Sequence, residues 1–133
     1  MTGLVLKLAP NERVLINGAV IENGDRRARI AVKTPDVNIL RLRDAIHPDA
    51  ATTPVSRVCY DAQLILTGDR AAEEGKKILL NGIEQLTLVF DDRDSRKLLA
   101  AATTGVVEGN YYRTLRALRD LLPREARLIA VRS

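Results

Sequence analysis

Aromatic residues are almost absent from the sequence, which has no tryptophan, one phenylalanine and three tyrosines in 133 residues. RNA-binding proteins of the RRM and OB-fold types stack bases on aromatic side chains, and this composition argues against such a surface. Hydrophobic residues nevertheless make up 46% of the chain. The composition therefore predicts a folded protein with an aliphatic core.

Cysteine and histidine are equally scarce, since Cys59 and His47 are the only residues of their types. One cysteine excludes an internal disulfide, and one residue of each type excludes a zinc cluster. Cys59 falls on the apolar face of a predicted helix, which favours a small buried hydrophobe over a nucleophile. His47 precedes Pro48 at a predicted turn and is interpreted as an exposed or capping residue rather than a general base.

The sequence also lacks the signals of a phosphate-binding loop and of a membrane-spanning helix. The glycines are isolated, and none precedes a Lys-Ser/Thr pair. No stretch approaches the roughly 20 apolar residues that a membrane-spanning helix needs, and the run Leu4–Leu8 is too short for a signal peptide. We therefore expect a cytoplasmic protein that is not an enzyme, with no cofactor, metal or membrane partner.

The first 48 residues have the pattern of short strands. Apolar runs at 4–8, 13–16, 19–22 and 29–33 are separated by turn sequences, including the pairs Asn17-Gly18 and Asn23-Gly24. Asn-Gly favours the type I′ turn of a hairpin, because both central residues take positive φ. The pattern predicts an antiparallel meander with a turn at Thr34-Pro35-Asp36 and an extension from Val37 to Leu42.

Residues 49–133 predict a bundle of about four helices. Thr53 is a good N-cap before Pro54, the apolar spacing from Val55 to Leu66 is helical, and Gly68 ends the segment. Further helices are predicted from about Ala71 to Phe90 (with a weak point at Gly75 and Gly82), from an entry at 91–94 to about Val107, after the cap Asn110, and at Pro123. The fold class is therefore α+β, with a β-rich part at 1–48 and a helical part at 49–133 for core packing, dimerisation and partner binding.

A group of acids precedes the third helix, at Asp91, Asp92 and Asp94. Three carboxylates of this kind are potential ligands of a divalent ion, but the EF-hand pattern is missing. Acids also favour the positive end of the helix dipole. We interpret the group as a helix cap.

The chain is basic, with a net charge of +4 and a pI of about 9.6. The excess lies at the two ends: residues 1–43 have eight Lys and Arg against four acids, and residues 109–133 have six against two. The middle segment 61–95 is acidic, with eight acids against four bases. This distribution permits an anionic partner without identifying one.

Three basic clusters are candidates for binding. The first cluster follows the second Asn-Gly pair and consists of Arg26, Arg27 and Arg29. It is either a binding surface or a solubilising turn that blocks aggregation. The second cluster belongs to the last strands and consists of Lys33, Arg41 and Arg43. Arg41 and Arg43 share a predicted face, which is either a binding surface or an ordinary solvent-exposed face. The third cluster is a helical stripe of Arg113, Arg116 and Arg119, interpreted either as a partner-binding surface or as a solvated helix face.

The chain resembles the FlbT family over essentially its whole length. The residues that carry the resemblance are Leu4–Pro10, Asn17–Arg27, Thr34–Asp36, Ile39–Asp44, Thr53–Val55, Arg57–Tyr60, Tyr111, Tyr112, Leu115 and Arg116. The resemblance implies a post-transcriptional regulator, a repressor or an activator, that binds the 5′ untranslated leader of flagellin messenger RNA and controls its translation or decay. It also implies a small helical flagellar regulator, FlaF, as a partner.

The first 45 residues also resemble CsrA, a small RNA-binding β-protein that forms an intertwined dimer. The shared elements are the opening strand, Glu12 before Val14-Leu15-Ile16, the segment Arg29–Val32 and the Pro35 turn. CsrA binds RNA with basic residues at the end of its first strand and in its last strand. Here Leu8 and Ala9 replace the first set, and Leu42 aligns with the last-strand arginine, next to Arg41 and Arg43.

Two functions follow as hypotheses. In the first, the chain binds flagellin messenger RNA through a basic β-face made of Lys7, Arg26, Arg27, Arg29, Lys33, Arg41 and Arg43. In the second, it is an adaptor in flagellum assembly that acts on messenger RNA only indirectly. Its helical part would then bind FlaF or flagellin through the acidic middle segment and the stripe of Arg113, Arg116 and Arg119. Both include a homodimer, because a small sheet has free edges to cover and twofold dimers are the commonest oligomers.

Overall fold

A computed structural model describes residues 4–34 and 37–132. Within these ranges the chain forms five strands and then five helices, which confirms the α+β fold class. The strands are β1 (Leu4–Leu8), β2 (Arg13–Ile16), β3 (Ala19–Glu22), β4 (Ala28–Val32) and β5 (Ile39–Arg41). The helices are α1 (Pro54–Thr67), α2 (Ala72–Thr87), α3 (Arg93–Val107), α4 (Tyr111–Arg119) and α5 (Leu122–Arg132). Short 3-10 turns occupy Leu42–Asp44 and Pro48–Ala50, and the predicted turn residues Pro35 and Asp36 lie outside the described residues.

The strands form two antiparallel sheets rather than one meander. One sheet pairs β1 with β4, and the other has the order β3-β2-β5. The predicted meander is therefore wrong, because β1 pairs with the fourth strand instead of the second. The chain passes from one sheet to the other three times, after β1, after β3 and after β4.

The two Asn-Gly pairs have different roles. Asn17 and Gly18 have φ values of 50° and 83°, and they connect β2 to β3 as a hairpin, as predicted. The second predicted hairpin is wrong. The Asn23 side-chain amide instead donates to the carbonyl oxygens of Ala9 and Arg26, both at 2.8 Å, so it anchors the crossing from one sheet to the other.

The fold has three layers, which are the two-stranded sheet, the three-stranded sheet and the helices. Side chains alternate along β2 and β5, so the middle layer packs against both of the others. Between the two sheets lies a cluster of buried aliphatic residues, Leu6, Leu8, Val14 and Ile39. On the other face of the three-stranded sheet, Leu15 and Leu40 pack against the helical core. β5 is consequently buried on both faces, and it joins the β-rich part to the helical part.

The helix boundaries follow the local signals in the sequence. Thr53 and Ser56 form a capping box before α1, and Gly68 ends that helix in the left-handed region with a φ of 84°. Asp92 and Asn110 accept backbone N–H hydrogen bonds as the N-caps of α3 and α4. None of the described helices combines the length and the hydrophobicity required to cross a membrane.

Helix α2 runs without interruption across the two glycines that predicted a weak point. A Cβ atom at Gly75 would collide with the side chain of Ile65, and one at Gly82 would lie 3.0 Å from Cγ2 of Val58. Both contacts are with α1. The glycines therefore permit the close approach of two helices, and this packing offsets their low helix propensity.

A similar contact fixes α4 on α3. The Thr114 hydroxyl donates to the carbonyl oxygen of Ala102 at 3.0 Å in a fully buried position. A Cβ atom at Gly105 would lie 2.9 Å from the Asn110 carbonyl oxygen and from the Thr114 nitrogen. Because the Asn110 oxygen and the Thr114 nitrogen are backbone atoms, no side-chain rotation can move them away from the added Cβ atom.

We expect Gly105→Ala to lower the free energy of unfolding by about 1–3 kcal/mol, the usual cost of overpacking a close contact. Urea denaturation followed by circular dichroism measures it. Gly24→Ala is the control, because Gly24 has ordinary φ and nothing within 4 Å of its Cβ position. Equal stability of the two variants would show that α3 and α4 separate without cost.

Candidate functional site

A groove of about 740 Å³ opens between the end of the two-stranded sheet, the 3-10 turn Leu42–Asp44 and helix α4. Six of its ten lining residues are Lys or Arg, and none is acidic. The lining consists of Val5, Lys7, Leu8, Ala9, Arg27, Ala28, Arg29, Arg41, Arg43 and Arg116. We call this surface the basic groove.

On the sheet wall of the basic groove, two positively charged side chains face each other. Lys7 on β1 is directly opposite Arg29 on β4 in the antiparallel register. Cationic side chains in this position repel each other when nothing lies between them. Lys7, Arg27 and Arg29 are all exposed, and none of them makes an ion pair with a described residue. An anion bound here would remove the repulsion.

Arg41 forms the floor of the basic groove and is only 6% exposed. Its Nη2 donates to the Lys7 carbonyl oxygen at 3.0 Å, and its Nη1 donates to Glu12 Oε2 at 3.3 Å. Since Arg41 ends β5 and Lys7 belongs to β1, this one guanidinium joins the two sheets. The predicted solvent-exposed face is therefore wrong for Arg41, which is buried and donates two hydrogen bonds within the protein, while its buried Nε has no hydrogen-bond partner among the described residues.

Glu12 completes this buried polar contact. Its Oε1 accepts the backbone N–H of Ala9 at 2.9 Å, and its Oε2 lies 3.7 Å from Arg43 Nε. The Glu12 side chain is 6% exposed, whereas that of Arg43 is 56% exposed. Arg43 therefore retains an accessible guanidinium at the edge of the groove.

The helical wall is provided by Arg116 of α4. Its guanidinium lies 6.0 Å from the centre of the Tyr112 ring, and its Nη1 donates to the Tyr112 hydroxyl at 3.4 Å. The hydrogen bond and the charge interaction with Tyr112 raise the pKa of Arg116 above its ordinary value, and the carboxylates of Asp44 and Asp120 add to this. Arg116 is therefore a fixed positive charge beside the groove.

The predicted stripe on α4 separates into three environments. Arg113 is exposed and forms an ion pair with Glu108 at 3.2 Å. Arg116 lines the basic groove. Arg119 is half-buried and forms an ion pair with Asp44. One helix face thus carries a solvated pair, a groove residue and a structural contact.

Two predicted RNA-binding residues lie outside the groove lining. Arg26 is exposed in the crossing between the sheets, and Lys33 is exposed just after β4. The three guanidiniums at 26, 27 and 29 therefore do not project together from a hairpin tip, because the hairpin is absent. Only Arg27 and Arg29 of this cluster face the groove.

The other candidates for chemistry have structural roles. Cys59 is 1% exposed, and burial raises the pKa of its thiol to about 12. His47 Nδ1 accepts the backbone N–H of Asp49 as the cap of a 3-10 turn. The backbone N–H of Ser95 donates to Asp92 at 2.9 Å and lowers the pKa of that carboxyl. Nowhere in residues 4–34 and 37–132 do three or more His, Cys, Asp or Glu side chains form a potential metal site.

We expect Cys59 to be unreactive in the native protein. A thiol with a pKa of about 12 is protonated at neutral pH, and only the thiolate reacts rapidly with disulfide reagents. Release of thionitrobenzoate at pH 8 should be slow until urea unfolds the chain and then fast. Rapid release without denaturant would contradict the burial of α1.

We expect Arg41→Ala to lower the free energy of unfolding by about 3–5 kcal/mol, because the buried carboxylate of Glu12 loses its main partner. Arg43→Ala removes an exposed partner of the same carboxylate and should cost less than about 1 kcal/mol. Urea denaturation of both variants tests the difference. Similar values for the two would mean that Arg41 does not hold the sheets together.

Comparison with known proteins places the chain among flagellar proteins. The family described as "Flagellar protein FlbT" matches residues 4–129. A protein of Rhodopseudomonas palustris named "Probable flagellum biosynthesis repressor protein FlbT" is 32% identical over 128 residues, which are 96% of this chain and 98% of that protein. The protein of the same name in Mesorhizobium japonicum is 31% identical over 95% of this chain and 84% of its own length.

The "Flagellum biosynthesis repressor protein FlbT" of Caulobacter vibrioides is 27% identical over 92% of this chain and 86% of its own length. No solved structure gave a significant match. The matched range spans both sheets and nearly all of the helical part, and it therefore contains every residue that lines the basic groove. The chain therefore belongs to the FlbT family.

Proposed function

We propose that this protein is a post-transcriptional regulator of flagellin synthesis that binds the 5′ untranslated leader of flagellin messenger RNA and controls its translation or decay. The observation that carries the proposal is the basic groove, with six cationic residues and no acid in its lining. The curated relatives are named as repressors of flagellum biosynthesis. That name supports a regulatory role for this chain in the same process.

The chemistry of the groove favours contact with the phosphate backbone. Arginine forms paired hydrogen bonds with phosphate oxygens, and five of the six cations are arginines. The lining contains no aromatic residue on which a base could stack. We infer that the path of the RNA chain, more than the identity of stacked bases, determines what the groove binds.

Removal of one groove arginine should weaken RNA binding and its dependence on salt. Arg27→Ala and Arg29→Ala should each reduce the slope of log affinity against log salt concentration by about 0.7, the value for one phosphate of a single strand. Arg26→Ala and Lys33→Ala are the matched controls, since they also remove exposed charges but from outside the groove. Fluorescence anisotropy with a labelled flagellin leader measures all five proteins.

The same assay with a shuffled leader of equal length tests specificity. The proposal expects tighter binding of the native leader at equal salt concentration. Equal binding of both RNAs would reject specific recognition, and equal effects of groove and control variants would reject the groove as the binding surface.

An adaptor in flagellum assembly is the second candidate function. An apolar groove of about 510 Å³ lies beside α5, and Ile46, Ala50, Leu122 and Ala126 are among its lining residues. Such a surface suits a protein partner, FlaF or flagellin, more than a nucleic acid. Failure of the purified protein to bind any RNA, together with binding of one of these proteins, would favour this function.

The homodimer stays a prediction. Among the described strands β3 is a sheet edge exposed on both faces, with Val20 61% and Ile21 40% exposed. Uncovered edge strands of this kind pair readily with a second chain. The edge is therefore available for the predicted dimer.

A further inference from the structure

The basic groove has walls from two different parts of the fold. Arg43 belongs to the 3-10 turn that follows β5, and Arg116 belongs to α4. A phosphate between these walls needs both guanidiniums at a fixed separation, because hydrogen bonds weaken steeply with distance and angle. Something must therefore hold the turn against the helix.

The contact between Asp44 and Arg119 joins the same two elements. Arg119 Nη1 donates to the backbone carbonyl oxygen of Asp44 at 3.0 Å, and Arg119 Nε lies 3.6 Å from Asp44 Oδ1. The Asp44 side chain is 13% exposed and that of Arg119 is 33% exposed. The pair is thus largely shielded from water, where an ion pair is stronger than at an open surface.

The positions of these residues in the sequence relate the pair to the groove. Asp44 follows Arg43 directly, and Arg119 lies three residues after Arg116, which is about one helical turn. A displacement of the turn from α4 would therefore move Arg43 away from Arg116. Arg119 itself does not line the groove.

We propose that Asp44 and Arg119 form a positioning clamp that keeps Arg43 and Arg116 on opposite walls of one phosphodiester-binding site. The site is then a composite of the β-rich part and helix α4. This inference rests on the proposed function, and it assigns to Arg119 a role in binding without contact with the RNA.

A second attachment of the same segment offers a rival explanation. The Gln63 side chain of α1 accepts the N–H of Ile46 at 2.7 Å and donates to its carbonyl oxygen at 3.0 Å. If Gln63 alone held the segment, Arg119 would be dispensable for the groove. The experiment has to separate these two cases.

The probe is a labelled single-stranded oligouridylate, which offers phosphodiesters without sequence. Arg116→Ala should weaken binding and reduce the salt slope by about 0.7, because a phosphate contact is lost. Arg119→Ala should weaken binding about tenfold with an unchanged slope, since only positioning is lost. Arg113→Ala is the matched control, because it removes the same charge from the same helix outside the groove.

Two further measurements separate positioning from general destabilisation. The amide of Ala45, which donates to the Leu42 carbonyl oxygen in the 3-10 turn, should exchange faster with solvent in Arg119→Ala and not in Arg113→Ala. Arg119→Lys keeps a donor for the Asp44 carbonyl and should recover part of the lost affinity. Both readouts use the folded chain of 133 residues.

The outcomes are distinct for the clamp and for the proposed function. Wild-type protein that fails to bind the oligouridylate at low salt rejects the groove as an RNA site and the clamp with it. Wild-type binding with equal affinities for Arg119→Ala and Arg113→Ala rejects the clamp alone. A salt slope that falls in Arg119→Ala as much as in Arg116→Ala would falsify positioning and make Arg119 a direct contact.

Discussion

The buried guanidinium of Arg41 is the contact on which the arrangement of the β-rich part depends. It hydrogen bonds to the backbone of β1 and to the carboxylate of Glu12, so the two sheets meet at a fixed position beside the groove. A charge buried to this extent is tolerated only when its partners are also held in place. Glu12 is held by the Ala9 backbone, and the groove floor is consequently connected by hydrogen bonds to both of its flanking segments.

Local signals in the sequence predicted most of the helical part. Thr53, Asn110 and the acidic group at 91–94 were identifiable as caps because an N-cap depends on one side chain and the next three residues. The α+β class also followed from the change in periodicity near His47. The interruption predicted in α2 is absent, because Gly75 and Gly82 pack against side chains of α1 that are distant in the sequence.

Strand pairing and the binding site were less accessible to sequence reasoning. Asn23-Gly24 has the local pattern of a hairpin turn, but the pairing of β1 with β4 overrides it. Arg41 and Arg43 appeared equivalent because they are two residues apart, and only the end of β5 between them separates a buried residue from an exposed one. The contribution of Arg116 to the groove had no local signal, since it depends on the packing of α4 in three dimensions.

The concave shape of the basic groove has a consequence for the rate of encounter with an anion. A depression lined by one sign of charge concentrates the electric field more than a flat surface with the same residues. Negatively charged chains are then drawn in from a distance of about one Debye length, roughly 8 Å at physiological ionic strength. The groove therefore favours rapid capture, and the lifetime of each complex depends on how closely the bound chain follows its walls.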